Sequence, residues 1–231
     1  MNRSTESSDA ATNGPSATYR EGVRAAVPLA LLIGIFGVSW GVLAGDAGIS
    51  VPAAIVMSST TFGASAQFAA VSILANGGGV GAAVIAAVLL NARYGPIAVS
   101  VAPVITGNGG LRLLQSHLVI DESWALANRG GGRFDRRMLV GAGAVMYAAW
   151  VGGTALGIVA GDLLGDPASL GLDAAFPALF VALLAPQVRH RRPVTAAVLG
   201  AAIALALVPF TRAGIPIMAA SVACLLGLRK P

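Results

Sequence analysis

Cysteine, histidine and charged residues are scarce in this chain, and each shortage excludes a class of protein. There is one cysteine, Cys224, and there are two histidines, His117 and His190. One cysteine cannot form a disulfide framework or a cysteine-based metal site, and its apolar neighbours indicate a small core residue. Charged residues make up 11% of the chain, whereas a soluble domain usually carries about 25%. The sequence is therefore not that of a soluble domain.

Apolar residues are abundant instead. They make up 56% of the 231 residues, and the mean hydropathy is +0.78. A bilayer core of about 30 Å needs roughly 20 apolar residues per helix, so the chain has room for six or seven crossings. We predict an all-α integral membrane protein, a polytopic helical bundle without a large domain outside the membrane.

Seven apolar segments are candidate membrane helices: residues 23–44, 52–75, 80–105, 139–160, 174–186, 194–209 and 213–228. Residues 1–22 are mostly polar and are predicted to form a disordered cytoplasmic tail, followed by a single transmembrane domain at residues 23–231. Within it, residues 107–137 are predicted to be an amphipathic or cytoplasmic connector. Leucines alternate with charged side chains over residues 111–128, which is typical of one helix at the membrane interface or packed beneath the bundle. Gly130 to Gly132 should end that helix.

The positions of the arginines predict the orientation. Lys and Arg near helix ends are retained in the cytoplasm. They precede or open the first helix, occur throughout the central loop, and recur at residues 189–192 and at the end of the sequence. The loops at Asp46 and at residues 162–173 contain neither. We therefore expect both termini in the cytoplasm, with Arg212 as the one positively charged residue on the outer side.

This charge pattern does not fit seven simple crossings, because three passes before the central loop would place its five arginines outside. We expect residues 52–75 to form a re-entrant hairpin that folds back at residues 62–67, so that only residues 80–105 span. Helices are then discontinuous or re-entrant near residues 58–68 and 91–96, which is tolerated where protein or a cavity satisfies the freed backbone groups. The alternatives are that the charge rule fails here or that the amphipathic segment makes an additional pass.

Polar side chains interrupt the second apolar segment. Residues 58–68 read Ser-Ser-Thr-Thr-Phe-Gly-Ala-Ser-Ala-Gln-Phe, and such groups are costly in hydrocarbon. The small residues around Gly63 allow close helix packing, but packing does not explain Gln67, whose amide can donate and accept beside Ser58 and Ser65. Two interpretations stay open. These groups bind a zwitterion or a coupling cation along a path through the membrane, or they hydrogen-bond one helix to another.

Arg93 is the one charged residue inside the third apolar segment. A charge at the bilayer centre costs on the order of 3 kcal/mol even on permissive scales, so a partner is expected. A substrate carboxylate would fit the guanidinium through two parallel hydrogen bonds. Alternatively, Arg93 pairs with Asp121, Glu122 or carbonyls near Pro96, or a break at Gly95 places it at an interface. The two acidic residues are either a solvated face or a pair that carries a proton.

Short strings recur along the chain in a fixed order and spacing. They are Pro28, Gly34-Ile35-Phe36-Gly37, Gly48, Met57-Ser58, Phe62-Gly63-Ala64-Ser65-Ala66-Gln67-Phe68, Asn91-Ala92-Arg93-Tyr94 and Asp121-Glu122-Ser123-Trp124-Ala125-Leu126. Together they resemble the AzlC family of branched-chain amino acid permeases. The likeness covers residues 20–128 well and the rest mainly by hydropathy.

The resemblance implies a multi-pass permease domain in the cell membrane. Its expected substrates are leucine, isoleucine and valine, with methionine as a further candidate, and several members are exporters that work with a small AzlD-like membrane subunit. The residues expected along the substrate or ion path are Ser58, Ser59, Phe62, Gly63, Ser65, Gln67, Asn91, Arg93, Asp121 and Glu122. The family's usual Phe-Ala-Gly order appears here as Phe62-Gly63-Ala64. Its Arg-His pair appears as Arg93-Tyr94, which removes a group that titrates near neutral pH from a possible proton relay.

Other function classes have less support. An intramembrane serine hydrolase needs a base within reach of Ser65, and both histidines lie outside the apolar segments. The sequence has neither a metal-ligand cluster nor a phosphate loop followed by lysine, so we expect no enzyme, metal or cofactor. The net charge of +5 follows from loop arginines and does not indicate nucleic-acid binding. A structural or assembly subunit whose partner contains the pathway is the remaining alternative.

Four aromatic residues near the ends of apolar segments are expected to be interfacial anchors: Tyr19, Trp40, Tyr147 and Trp150.

Overall fold

The computed structural model describes residues 17–164, 181, 191–211, 215–220 and 222–223. Within these ranges the chain is helical, apart from turns and an isolated antiparallel bridge between Asn128 and Phe134. The all-α prediction is confirmed. The candidate helix at residues 174–186 lies outside the described residues except for residue 181, and the one at residues 213–228 is described only in part.

The helices of the described residues are α1 (Tyr19–Asp46), α2 (Val51–Thr61), α3 (Ala64–Ala75), α4 (Val80–Asn91), α5 (Tyr94–Val101), α6 (Gly109–His117), α7 (Asp121–Ala127), α8 (Arg136–Leu164), α9 (Arg191–Leu207) and α10 (Ile215–Ala220). A 3-10 turn, Ala102–Val104, follows α5.

Two of the apolar segments are broken helices. Residues 52–75 form α2 and α3, which separate at Phe62 and Gly63, and residues 80–105 form α4 and α5, which separate at Ala92 and Arg93 with a bend of 42°. With 11 and 12 residues, α2 and α3 are each too short to cross the membrane, because a helix rises about 1.5 Å per residue and the bilayer core is about 30 Å thick. The discontinuous helices predicted near residues 58–68 and 91–96 are confirmed.

Among the described residues, two helices are long and apolar enough to span a membrane. They are α1 and the Arg136–Gly161 part of α8, and the bent pair of α4 and α5 would be a third. The chain is an all-α membrane protein. The count of six to seven crossings stays a prediction.

Contacts divide the chain into two compact units. The first comprises Met1–Leu31 and Pro96–Ala148, and the second comprises Leu32–Gly95 and Ala149–Pro231. Most of the residues expected on a substrate path, from Ser58 to Arg93, belong to the second unit.

In the first unit, α1 begins at Tyr19, before the expected residue 23. The backbone N–H of Thr18 donates to Glu21 Oε2 at 2.7 Å, and the N–H of Glu21 donates to Thr18 Oγ1 at 3.2 Å. This reciprocal capping box satisfies N–H groups that the first helical turn leaves unpaired. Residues 19–22, which were expected in the polar tail, are therefore helical.

The carboxylate of Asp135 connects Ala17, which precedes the capping box of α1, to the first turn of α8 through hydrogen bonds. This carboxylate, 8% exposed, accepts hydrogen bonds from the N–H of Ala17 at 2.7 Å and of Met138 at 3.0 Å, and from Arg129 at 3.2 Å. Burial alone would raise the pKa of Asp135, but these hydrogen bonds and the charge of Arg129 outweigh it and hold the pKa below its ordinary value of 3.8.

The connector contains two short helices where one was expected. Between α6 and α7 the chain turns, and Ser123 Oγ donates to the carbonyl of Leu118 at 2.9 Å and accepts from the N–H of Ile120 at 2.9 Å. The prediction of one helix over residues 111–128 is wrong, because this serine satisfies backbone groups in a turn instead. Gly130 to Gly132 all have positive φ and follow the end of α7, as predicted.

In the second unit, α1 and α8 lie too close for side chains to fit between them. A Cβ atom added to Gly37 would come within 2.7 Å of the carbonyl oxygen of Trp150, and one added to Gly157 would collide with the carbonyl of Val38. Small residues at such positions let helix backbones approach in a membrane. The contact therefore depends on glycine.

The order of the contacts shows that α1 and α8 run parallel there. Gly34 lies next to Ala149, and Gly45 lies next to Ile158. In the first unit the starts of the same two helices meet, where Gly22 lies against Met138. If both helices span, both therefore start on the same side of the membrane, and the chain between them crosses an odd number of times. The arginine pattern leads to the same requirement.

The hairpin of α2 and α3 enters and leaves at one end of α1. A short loop joins Asp46 to Val51. The end of α3 returns to the same place, because Leu74 and Ala75 line one cavity together with Leu43 and Asp46. This is the course expected of a re-entrant hairpin that folds back at Phe62 and Gly63.

Helix α3 then packs against α4 through a small apolar cluster of Ala70, Ile73, Ala83 and Ala86. The outer face of α4 presents Val80, Val84 and Val88, which are 54% to 69% exposed. Their spacing of four residues makes a continuous apolar stripe, as a helix in contact with lipid needs.

Candidate functional site

The two helix breaks of the second unit adjoin each other. Phe62 ends α2 with φ 35° and ψ 57°, a left-handed conformation that costs a residue with a Cβ about 1–2 kcal/mol. Gly63 follows in an extended conformation, and a Cβ there would come within 3.1 Å of Asn91 Oδ1 at the end of α4. The small residue at position 63 therefore lets the first break lie directly against the second.

A chain of hydrogen bonds runs beside these breaks and joins three helices. The indole N–H of Trp150 donates to Gln67 Oε1 at 3.0 Å, and Gln67 Nε2 donates to Ser58 Oγ at 3.1 Å. Ser58 Oγ lies 2.9 Å from Thr154 Oγ1, so its proton can complete the chain. All four side chains are at most 1% exposed. The network ties α2 and α3 to α8 in an interior where such bonds are electrostatically strong.

This network bears on the two interpretations of the polar string. Ser58 and both functional atoms of the Gln67 amide bond to protein groups. In this conformation, hydrogen bonding between helices therefore accounts for Ser58 and Gln67. A substrate that reached them would have to replace bonds that already exist.

Two other polar atoms near the breaks have no such partners. Ser65 Oγ, in the first turn of α3, and Asn91 Oδ1, at the end of α4, are buried without a hydrogen-bond partner among the described residues. A buried polar atom left in this state costs about 1–3 kcal/mol. Ser59, another expected path residue, is half-buried on α2. Spare hydrogen-bonding capacity is thus located at the adjoining breaks rather than in the network.

Arg93 lies in the turn between α4 and α5, so it is not inside a regular helix. Its guanidinium carbon is 5.1 Å from the centre of the Tyr94 ring, and Nη2 donates to the Tyr94 hydroxyl at 3.3 Å. A cation over an aromatic ring gains about 0.5–2 kcal/mol. The break was expected at Gly95, but it lies before that residue, at Ala92 and Arg93. Pro96 does not break the helix because it fits the first turn of α5, where its missing N–H is not needed.

Asp121 and Glu122 belong to the first unit. They form the first turn of α7, and both are half-buried. Acidic side chains are favoured at this end of a helix by its dipole. This position accounts for their charge without a role in proton transfer, and such a role stays a prediction.

Trp150 and Thr154 are part of the network, although the sequence had not indicated them. Trp40 and Trp150 are 0% and 1% exposed, and their ring centres are 6.3 Å apart, so the expectation that they are interfacial anchors is wrong. The missed signal is a helical face of α8 formed by Trp150, Gly153, Thr154 and Gly157. The glycines on that face allow α1 to approach, and the approach buries the tryptophan and the threonine.

Within the described parts of the chain, no group of three or more His, Cys, Asp or Glu residues is placed to hold a metal ion. The chemistry that the site offers is hydrogen bonding, helix-end dipoles and the charge of Arg93.

Two comparisons with known proteins agree with this architecture. The family model of the AzlC protein matches residues 28–164, which is more than half of the 231-residue chain. An uncharacterized membrane protein of Archaeoglobus fulgidus is 30% identical over 217 residues, covering 90% of this chain and 93% of the relative. No solved structure matches. The match begins within α1 and ends with α8, so it includes both broken helices, and the chain belongs to the AzlC family of transport-related membrane proteins.

Proposed function

We propose that this chain is a permease for branched-chain aliphatic amino acids. Leucine, isoleucine and valine are the proposed substrates, with methionine as a further one. The protein exports them across the cell membrane together with a small AzlD-like membrane subunit, and both of its termini lie in the cytoplasm. Membership of the AzlC family supports the general class.

The observation that carries the proposal is the contact between the two helix breaks. Gly63 places the break after α2 against Asn91 at the end of α4, and Ser65 Oγ and Asn91 Oδ1 are buried there without partners among the described residues. Discontinuous helices that meet inside a membrane commonly form the substrate sites of transporters. The spare polar atoms give a zwitterion groups to bind.

Helix ends at the break suit a zwitterion. The α2 helix ends there, and the carbonyls at a helix C-terminus attract a cation such as an ammonium group. Helix α3 begins there, and Gly63 gives it no side-chain cap, so N–H groups are left for a carboxylate. Arg93 lies in the adjoining break and is the proposed second ligand of that carboxylate. Asn91 and Ser65 add further hydrogen bonds.

The remaining path residues have supporting roles in the proposal. Phe62 and Gly63 shape the break, and Ser59 lies near it on α2. Ser58 and Gln67 hold the hairpin against α8. Asp121 and Glu122 are proposed to carry a proton if transport is coupled to one.

An assembly subunit is the second candidate function. The observation that favours it is the complete bonding of the Gln67 network, because a rigid interior suits a protein whose partner contains the pathway. The two functions differ in whether this chain itself moves leucine.

Counterflow in proteoliposomes separates the two functions. Vesicles loaded with unlabelled leucine receive the purified chain, the companion subunit, or both, and uptake of labelled leucine is followed without any imposed ion gradient. A permease that works with the companion gives uptake when both proteins are present and a low rate with the companion alone. Arg93→Ala should reduce the rate at least about tenfold, which corresponds to one lost charge-assisted bond.

The matched control is Arg112→Ala, since Arg112 is an exposed arginine on α6 and its loss should leave the rate unchanged. If vesicles with the companion alone take up leucine as fast as vesicles with both proteins, this chain is an assembly subunit. Full uptake by a folded Arg93→Ala variant would remove Arg93 from the route.

A further inference from the structure

A cavity of about 420 Å³ lies in the second unit, at the end of α1 that is distant from Arg20 and Arg24. Its apolar wall is formed by Leu43, Phe68, Val71 and Leu74. Phe68 and Val71 are 1% and 3% exposed, whereas Asp46, Ala75 and Asn76 are exposed. The cavity therefore leads from a polar mouth to an apolar floor.

The mouth is negative. Asp46 supplies a carboxylate, and α1 and α3 both end at the cavity, at Asp46 and Ala75. Most of the last carbonyls of both helices accept hydrogen bonds from the turn that follows, so the Asp46 carboxylate is the main negative group at the mouth. Among the described residues that line the cavity there is no Lys, Arg or His. A cationic group is favoured at the mouth, and no lining side chain among those described would neutralise an anion there.

The floor is large enough for a branched alkyl group and is next to the buried network. The Phe68 ring packs edge-on against Trp150, with ring centres 6.3 Å apart. The neighbouring Gln67 bonds to the same indole. A group that enters the cavity can contact Phe68, whose ring in turn contacts Trp150 of the network.

We infer that this cavity is a binding site for a primary aliphatic ammonium compound, with the ammonium group at Asp46 and the branched chain against Phe68 and Leu74. The site is distinct from the adjoining helix breaks, and by the arginine pattern it opens on the non-cytoplasmic side. If the natural occupant is leucine, that identification rests on the proposed function. The preference of the cavity for an ammonium group over a carboxylate does not rest on it.

The test uses fragments of leucine. 3-Methylbutylamine keeps the branched chain and the ammonium group, and 4-methylpentanoate keeps the branched chain and the carboxylate. Binding of both to the purified full-length protein is measured by calorimetry and by intrinsic tryptophan fluorescence. The amine should bind more tightly than the acid. Asp46→Asn should weaken amine binding about three- to tenfold, the loss expected for an ion pair that is partly shielded from water. Asp46→Glu should retain most of the binding, because it keeps the carboxylate.

Shape is tested separately from charge. Ala75→Phe adds a ring at an exposed lining position, so it should fill the cavity and block the amine while methylammonium still binds. Ser50→Ala is the control, because Ser50 is exposed in the loop after α1 and its side chain makes no cap hydrogen bond. Equal binding of amine and acid, or amine binding unchanged in both Asp46→Asn and Ala75→Phe, would overturn the inference.

Leucine counterflow distinguishes this failure from that of the proposed function. Amine binding that depends on Asp46, in a protein that does not exchange leucine, supports the cavity site and contradicts the permease. Leucine exchange in a protein whose amine binding ignores Asp46 and Ala75 supports the permease and contradicts the cavity site.

Discussion

The indole N–H of Trp150 donates to the side-chain oxygen of Gln67 across 3.0 Å, in a position where both residues are at most 1% exposed. This bond fixes the short helix α3 to the long helix α8. Because Gln67 also donates to Ser58 on α2, one amide holds both arms of the hairpin. Gln67, one of the residues expected along the substrate path, thus connects the hairpin to α8.

Gln67→Leu should therefore destabilise the protein. The change leaves the Trp150 N–H and the Ser58 hydroxyl without one partner each, at a cost of about 1–3 kcal/mol per unpaired buried group. The free energy of unfolding in mixed micelles measures it. Thr60→Ala is the control, since the exposed Thr60 hydroxyl bonds to the Val56 carbonyl of its own helix. Equal stabilities for Gln67→Leu and the wild type would contradict the network.

The contact between α1 and α8 predicts opposite effects of two similar substitutions. Gly157→Ala places a methyl group against the Val38 backbone, and overpacking of this kind costs about 1–3 kcal/mol. A methyl group added to Gly152 would meet no atom of another described helix within 4 Å, so Gly152→Ala should be neutral or raise the helix stability by about 0.5–1 kcal/mol. Thermal unfolding of the two variants in one detergent decides this. A lower melting temperature for Gly152→Ala than for Gly157→Ala would refute the packing.

The lowered pKa of Asp135 predicts a dependence of stability on acid. A carboxyl group whose pKa is lower in the folded state stabilises the fold above its unfolded pKa, and this stabilisation is lost as the pH falls through the folded pKa. With an ordinary value of 3.8, the loss should begin below about pH 5. Asp135→Asn should melt at a lower temperature than the wild type at neutral pH, and the two should converge under acid conditions. A constant difference across the titration would contradict this account.

The hairpin predicts which loops face the same side of the membrane. In a Cys224→Ser background, single cysteines at Ser50 and Gly79 should both react with an impermeant thiol reagent added outside intact cells, because residues 52–75 enter and leave on one side. A cysteine at Ser116 on α6 should react only after the cells are opened. Reaction of just one of the first two positions would show that residues 52–75 span the membrane.

The sequence could predict the broken helices because the physical causes are local. Polar groups at residues 58–68 and the arginine at position 93 cannot lie in an unbroken lipid-facing helix at low cost, and Gly63 gives the chain its close approach. Whether the chain between α1 and α8 crosses an odd or even number of times was also predictable, since Arg20 and Arg136 lie in the first turns of these long apolar helices. The whole-chain pattern of arginines decided the orientation expected for each.

The hydrogen-bond partners could not be predicted in the same way. Gln67 and Trp150 are 83 positions apart, and only the packing of α8 against α1 brings the tryptophan inside. The turn at Leu118 in the connector was missed for a related reason. The Ser123 side chain hydrogen-bonds the Leu118 carbonyl in place of a backbone group. The spacing of apolar residues does not reveal a hydrogen bond of this kind.

The central claim is that the adjoining helix breaks form part of the substrate path, and a cysteine at Ser65 tests it most directly. Ser65 Oγ has no hydrogen-bond partner among the described residues, so Ser65→Cys in the Cys224→Ser background should fold normally. We predict that a small methanethiosulfonate reagent modifies this cysteine, that modification stops leucine counterflow, and that saturating leucine slows the modification. A cysteine that is modified without any loss of counterflow, or at a rate that leucine does not change, would contradict the claim.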